Sequence, residues 1–188
     1  MTSPTSPQPA AAGTAVGDGV VAGQFRQAMG RFLTGVAVVT SCGPDGPHGT
    51  TVSSLASVSL EPPMLLFCLA HNSHSARTIG STGVFTVNVL GRGQSELAGW
   101  FASSRRPLGS AGFAGVPHRV GATGAPMLDG AVVHLDCRVA QEVLAGDHSV
   151  FIGEVTGITF ADSADPLAYH QGRLLSLVVA YSAPGEQR

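Results

Sequence analysis

Hydrophobic and polar positions divide the chain into a run of short elements with few long helical stretches. Over residues 24–33, Phe25, Met29, Phe32 and Leu33 recur at helical spacing, which predicts a short helix that Thr34 and Gly35 stop. Residues 36–41 are apolar and largely β-branched and predict a buried strand; the turn-rich run 43–47 (Gly-Pro-Asp-Gly-Pro) predicts a hairpin. The return strand, 48–60, carries hydroxyls where larger side chains are usual, and Pro62 and Pro63 break it before an apolar strand at 64–70. Asn72 or Ser73 caps a short helix over 75–81. A strand at 84–90, a second short helix at 94–102 and a Gly/Pro-rich loop at 103–130 follow. Two long strands, 131–143 and 149–159, are joined by residues 144–148, and a last strand covers 174–181.

Six or seven strands with short helices and few βαβ crossovers predict a mainly β fold, an antiparallel barrel in preference to a doubly wound sheet. The length of 188 residues suits one domain. Residues 1–22 lack a hydrophobic period and are expected to be a disordered tail, 23–182 the domain, and 183–188 a second tail.

Composition narrows the function. Apolar residues make up 44% of the chain and charged residues 12%. So lean a charged surface suggests burial against a second copy. The ten basic residues are all arginine, scattered along a chain of net charge −2, so no basic stripe exists for nucleic acid. Lacking lysine, the chain has neither a Schiff-base nucleophile nor a Walker motif. Cys42, Cys68 and Cys137 are odd in number and far apart, which fits a reducing cytoplasm. No secretory leader and no apolar run of membrane-spanning length is evident, so a soluble protein is expected.

Four stretches could carry chemistry. His48-Gly49-Thr50-Thr51, continuing to Ser53 and Ser54, could bind phosphate through hydroxyls and backbone N–H groups, or could be a serine-rich edge strand facing water. Cys68-Leu69-Ala70 runs through His71 and Asn72 into Ser73-His74-Ser75 at a predicted helix N-terminus, where anions bind readily, although on residue types alone a merely polar helix start is the more frequent reading. His71 and His74 have a ligand-like spacing but no Cys or acidic neighbour, so no metal site is expected. Gly146-Asp147-His148 makes a turn whose histidine either stands alone on the surface or donates into a pocket. Tyr169-His170-Gln171-Gly172-Arg173 combines aromatic and basic groups. No GxGxxG follows a strand, and neither a P-loop nor GxSxG is present, so a dinucleotide would not be held in a Rossmann crevice.

In this order and spacing the stretches resemble the flavin reductase family of the FMN-binding split-barrel fold. The resemblance runs from about Phe25 to Val179. It rests on Phe25-Arg26, Met29-Gly30, Phe32, Thr34-Gly35-Val36 and Val38-Val39-Thr40. It continues through Gly49, Thr51, Ser53-Ser54, Ser57 to Leu60, Pro62-Pro63, Phe85, Val87 to Leu90, Gly146-Asp147-His148, Gly153 to Val155, Pro166-Leu167, Tyr169 and Gly172.

The resemblance implies a homodimer of antiparallel split barrels that uses NADH to reduce free FAD or FMN, with FAD favoured. The reduced flavin is released to diffuse to a flavin-dependent monooxygenase, as in aromatic degradation or antibiotic pathways. It implies that His48, Gly49, Thr50, Thr51, Ser53, Ser54, Ser73, His74 and Ser75 meet the flavin phosphate and ribityl chain. The backbone of Cys68, Leu69 and Ala70 would then lie along the ring, with Arg105 or Arg106 near the phosphates. NADH would stack over the ring beside His148, the expected positioning residue of the reaction, and Tyr169, His170, Gly172 and Arg173. The chain departs from the family in one place: Leu174 stands where an aromatic residue is frequent. The rival expectations are a tightly held FMN oxidase of the pyridoxamine-phosphate type and a non-enzymatic flavin- or haem-binding module. The former typically clamps phosphate with lysines that this chain lacks.

Overall fold

The computed structural model describes residues 20–161 and 165–176. The expected tails at 1–22 and 183–188 and the end of the last expected strand lie almost wholly outside the described residues. Twelve strands and three α-helices run α1 (Ala22–Gly30), β1 (Thr34–Gly35), β2 (Ala37–Gly43), β3 (Gly46–Val52), β4 (Ala56–Leu60), β5 (Pro63–Ala70), α2 (His74–Thr82), β6 (Val84–Val89) and α3 (Ser95–Ala102). A short 3₁₀ turn (Gly109–Phe113) precedes β7 (His118–Val120), β8 (Pro126–Leu128), β9 (Val133–Ala145), β10 (His148–Phe160), β11 (Leu167–His170) and β12 (Arg173–Ser176). Among the described residues the fold is mainly β and every strand pair is antiparallel. No described helix is long and apolar enough to cross a membrane.

Seven strands form one sheet in the order β3-β2-β6-β9-β10-β5-β4. Its two edge strands, β3 and β4, are consecutive in the chain and joined only by Ser53, Ser54 and Leu55. A flat seven-stranded sheet would set its edges roughly 29 Å apart. Four Cα–Cα steps reach at most about 15 Å. The sheet is therefore strongly curved. This also corrects the expectation of one return strand over 48–60: its first half pairs with β2 and its second with β5, so the chain must leave one edge before joining the other.

β2 is buried on both faces, the reason for its unbroken apolar run. Ala37 and Val39 face a core with Phe67, Phe85, Phe151 and Leu65, which Ala76 and Ile79 of α2 plug. Val36 and Val38 face a second core with Leu90, Phe101, Phe113, Leu128 and Leu167. That second core explains why 103–130 is more than the expected loop: Phe113 and Leu128 need rigid backbone behind them, which the 3₁₀ turn and the β7–β8 hairpin supply. Asn88, fully buried, fastens it by donating to the Val38 carbonyl (3.0 Å) and accepting from the Leu128 amide (2.7 Å).

Two boundaries also differ from expectation. The first helix stops at Gly30, whose carbonyl accepts the Gln171 amide at 2.7 Å, and Thr34–Gly35 is a strand paired to Tyr169 and Ala168. The helix also buries none of its side chains: Phe25 and Met29, and Phe32 and Leu33 beyond its end, are all half or more exposed. The expected strand at 174–181 begins as β12, which forms a three-stranded sheet of order β1-β11-β12.

Candidate active site

A cleft of about 700 Å³ opens where α1, the three-residue edge link and the β9–β10 turn converge. Its walls include Phe25, Arg26 and Met29 of α1, Thr34 of β1, Ser53, Ser54 and Leu55 of the link, Asp147 of the turn, His148 at the start of β10, and Tyr169 of β11. The link places hydroxyls there because it spans a gap in the sheet. Beyond Leu66, β5 has lost its β4 partner, so the edge of Phe67 to Ala70 is open on that side. Ser54 fills part of the gap: its hydroxyl accepts the Cys68 amide at 2.9 Å. By the two-residue period of a strand, the Ala70 amide points to the same open edge.

His148 opens β10 directly across from Ala70, and the Asp147 carbonyl accepts the His71 amide at 3.2 Å. The imidazole is half-exposed, and its Nδ1–H donates to the Asp147 carboxylate at 2.7 Å. That hydrogen bond, with the charge of His148, holds the Asp147 carboxyl below its usual range. The orienting bond leaves Nε2 as the nitrogen available to a ligand.

Where β3 meets the start of α2 lies a second, basic cluster. His48 on β3 is buried, with its ring centroid 4.5 Å from that of His74 at the start of α2. Burial, the Arg106 charge and His74 lower the His48 pKa to about 4, so it is neutral at physiological pH, and its Nδ1 has no hydrogen-bond partner. Arg106 is also buried; its Nη2 donates to the Gly49 carbonyl at 2.6 Å, and its guanidinium lies 4.9 Å from the centroid of the Phe101 ring. Burial lowers its pKa from the ordinary value, and its Nε has no hydrogen-bond partner. α2 begins at this cluster because Ser73 caps it, accepting the Ala76 amide at 3.1 Å.

The structure brings Ser53, Ser54, His148 and Tyr169 into the cleft wall, with Cys68 bonded to Ser54 and Ala70 paired to His148, and it gathers His48, Gly49, His74 and Arg106 around the basic cluster. Other expected contacts have structural employment. The Thr51 hydroxyl donates to the Ala98 carbonyl at 2.7 Å, tying β3 to α3. Gly49 is needed for packing, since a Cβ there would stand 2.8 Å from the Phe101 ring. Leu69 is buried in the first core and Ser75 is buried within α2, whereas Thr50 is half-buried on β3. Of the two candidate arginines, Arg106 is buried against β3 and Arg105 is exposed. His170 pairs with Arg173 across the β11–β12 turn, where Gln171 (φ 48°) and Gly172 (φ 78°) are both left-handed.

Three cleft residues stood in the sequence motifs without a site role of their own. Arg26 and Thr34 read as parts of a helix and its stop, and Asp147 as a turn former. Thr34 carries a buried hydroxyl without a hydrogen-bond partner, a cue that only the folded chain gives. Among the described residues no group of three or more His, Cys, Asp or Glu is placed to hold a metal.

A mainly β domain whose described strand pairs are all antiparallel, with a cleft at an open strand edge, is not a doubly wound Rossmann sheet. Residues 29–177 match the flavin reductase like domain, and the chain belongs to that family. It is 40% identical over 162 residues to the actinorhodin polyketide dimerase of Streptomyces coelicolor, covering 86% of this chain and 89% of that one. It is 33% identical over 166 residues to the reductase subunit HsaB of a flavin-dependent monooxygenase of Mycobacterium tuberculosis, covering 87% of each. Among solved structures, the NADH:FAD oxidoreductase SgcE6 of Streptomyces globisporus superposes with a TM-score of 0.80 at 33% identity, over 89% of this chain and 99% of that one.

Proposed function

We propose that this protein is an NADH-dependent flavin reductase that reduces free FAD or FMN and releases the product to a partner flavin-dependent monooxygenase. The observation that carries the reading is the open β5 edge with His148 across from Ala70, at the mouth of a cleft of about 700 Å³. Such a volume suits a ligand of cofactor size. The residues fit a flavin. Strand amides and the Ser53 and Ser54 hydroxyls suit the hydrogen-bonding edge of its ring and ribityl chain. The unpartnered atoms of buried His48 and Arg106, beside the start of α2, suit its phosphate.

When bound, flavin and reduced nicotinamide supply the redox chemistry themselves, a hydride passing from nicotinamide C4 to flavin N5. The chain's task is to bind, to orient and to limit water. Ser53, Ser54 and the backbone of Cys68 to Ala70 fix one ligand against the strand edge. Thr50, Ser73, His74 and Ser75, with Arg106 or Arg105, hold the phosphate side. Phe25, Met29 and Leu55 give the cleft apolar walls. Imidazole Nε2 of His148, its ring fixed by Asp147, orients the second ligand, and Tyr169, His170, Gly172 and Arg173 line the path beside it. No obligate acid or base is assigned; positioning at near-contact distance supplies the rate.

The single domain spans 23–182 and forms a split barrel, a closure supported by edge strands only three residues apart in the chain. It acts as a homodimer in the cytoplasm. A nine-residue helix that buries no side chain of its own gains little from isolation, and a second subunit over Phe25, Met29, Phe32 and Leu33 would stabilise it. Neither nucleic acid nor membrane is a partner. The names borne by HsaB and SgcE6 support flavin, NADH and the monooxygenase.

The deciding assay follows absorbance at 340 nm with NADH and excess FAD or FMN. Multiple turnovers that depend on added flavin are expected, with NADH preferred to NADPH. A protein that oxidises neither nucleotide with either flavin is not a reductase.

A further inference from the structure

α3 turns its two faces to different surroundings. Ala98 and Phe101 are buried in the second core, and the Ala98 carbonyl takes the Thr51 hydroxyl. On its other face Leu97 and Trp100 line a separate cleft of about 530 Å³, whose further walls include Glu96, Val116, Pro117 and Asp129. This cleft has no lining residue in common with the one at the β5 edge. Its aromatic wall is held in place: the Nε1–H of Trp100 donates to the Gly112 carbonyl at 2.9 Å, yet the residue is 39% exposed. Gln94 ties one end of the cleft together, accepting the Gly91 amide and donating to the Asp129 carbonyl, both at 2.8 Å. A surface fixed in advance costs a binding partner little ordering.

The electrostatics are one-sided. Glu96 and Asp129 bring two carboxylates to the cleft, and no arginine or histidine lines it. Neither carboxylate is ion-paired among the described residues, and Arg92, next in the chain to the cleft, is already paired with Asp165 at 3.1 Å. Carboxylates beside an exposed indole face complement a guanidinium, by charge and hydrogen bond on one side and by cation–π contact on the other. Leu97, Val116 and Pro117 add an apolar surface for a neighbouring aliphatic side chain. Most of the cleft's residues are exposed, so a free small molecule would keep much of its own surface in water. Side chains projecting from another protein's surface meet no such limit, and a tryptophan ring is a frequent anchor for them.

We propose that this cleft docks an arginine-bearing segment of a partner protein, with the guanidinium over the Trp100 ring, its charge met by Glu96 and Asp129, and an aliphatic neighbour against Leu97 and Val116. The docking claim stands on the cleft alone; that the partner is the oxygenase receiving reduced flavin rests on the reductase reading. Because the β5-edge cleft is lined by other residues, flavin can enter and leave while the partner stays docked. Docking then raises the local concentration of reduced flavin at its acceptor.

Trp100 is the only tryptophan in the chain, so its fluorescence reports on this cleft alone. The probe is an end-capped peptide with two arginines flanked by leucines, compared with the same peptide carrying glutamate in place of arginine. The arginine peptide is expected to shift Trp100 emission saturably, and the glutamate peptide to leave it unchanged. In the Glu96→Gln/Asp129→Asn double variant the Kd for the arginine peptide rises by about ten-fold, while turnover of free flavin with NADH stays at the wild-type rate. Trp100→Ala, followed by calorimetry, weakens binding to a similar degree. No saturable shift, equal binding of the two peptides, or a wild-type Kd in the double variant overturns the proposal. A Trp100→Ala protein whose mass in sedimentation falls below that of wild type assigns the cleft to a second copy of this chain and overturns it equally. A wild type that turns over no flavin yet binds the arginine peptide through Glu96 and Asp129 removes the reductase reading and leaves the docking site standing.

Discussion

The hydroxyl of Ser54 lies 2.9 Å from the backbone amide of Cys68 and occupies the hydrogen-bonding position that β4 vacates along β5. A ligand approaching this edge therefore meets the serine hydroxyl before it meets the Cys68 amide. In that arrangement the hydroxyl accepts the Cys68 amide and donates over 3.4 Å to the Cys68 carbonyl, a long bond that a ligand acceptor at the edge can replace. Ser54→Ala is expected to raise the KM for flavin by about three- to ten-fold, the loss of one hydrogen bond to a neutral acceptor. The KM for NADH should move less. Steady-state titrations of both substrates check the split; an unchanged flavin KM would show that the ligand does not use this edge.

His148 and Asp147 make a different prediction because they act in series. His148→Ala removes the group facing the ligand and is expected to lower turnover or raise the NADH KM by about ten-fold. Asp147→Asn keeps the shape of the turn but weakens the orienting bond, so a smaller loss of about two- to five-fold is expected. The hydrogen bond and charge of His148 hold the Asp147 carboxyl below its usual range, so Asp147 stays ionised as the orienting acceptor at neutral pH. Normal kcat and normal NADH KM in His148→Ala would remove the residue from the mechanism.

Much of this molecule was legible in the sequence wherever a local rule governs. Serine at 73 caps α2, the Gly-Pro-Asp-Gly-Pro run turns the β2–β3 hairpin, and the unbroken apolar run of β2 reflects burial on both faces. What stayed hidden depends on pairing between distant strands. Nothing in the hydroxyl-rich stretch marks Val52 as the end of one edge and Ala56 as the start of the other. For the same reason Thr51 looks like a ligand contact until α3 is seen to take its hydroxyl. Thr34 and Arg26 enter the site only because β1 pairs with β11 and draws α1 over the cleft.

Gly153 illustrates a constraint that the motif implied but could not explain. It sits at a register shift in β10, and a Cβ built there would come within 2.4 Å of the Phe85 ring, which is fully buried. Phe85 packs edge-on against Phe67, and Phe67 stacks on Phe151, so the ring has little room to retreat. Gly153→Ala is expected to destabilise the protein by about 1–3 kcal/mol, as overpacking does. The companion change Phe85→Leu should recover part of the loss in the double variant. Urea denaturation of the three proteins measures the coupling; additive losses would mean that the two positions do not compete for the same space.

Acid should weaken this fold through His48. In the unfolded chain that imidazole takes up its proton near pH 6.5, whereas in the folded protein burial and the Arg106 charge hold it neutral down to about pH 4. Between those values the unfolded state binds more protons, so stability present above pH 6.5 is lost as pH falls towards 4, with no further loss from this group below that. The slope approaches about 1.4 kcal/mol per pH unit in the steepest part. An anion held beside the basic cluster would favour the charged imidazole and raise its pKa, so flavin binding should oppose the acid loss and take up a proton over the same range. Urea midpoints between pH 7 and 4.5, with and without FMN, read both effects, and NMR titration of His48 reads the pKa directly. In Arg106→Gln the repulsion is gone and the His48 pKa should rise towards its ordinary value. A His48 that titrates near pH 6.5 in the wild type would mean that the cluster is open to water, and the phosphate side of the site would have to be sought elsewhere.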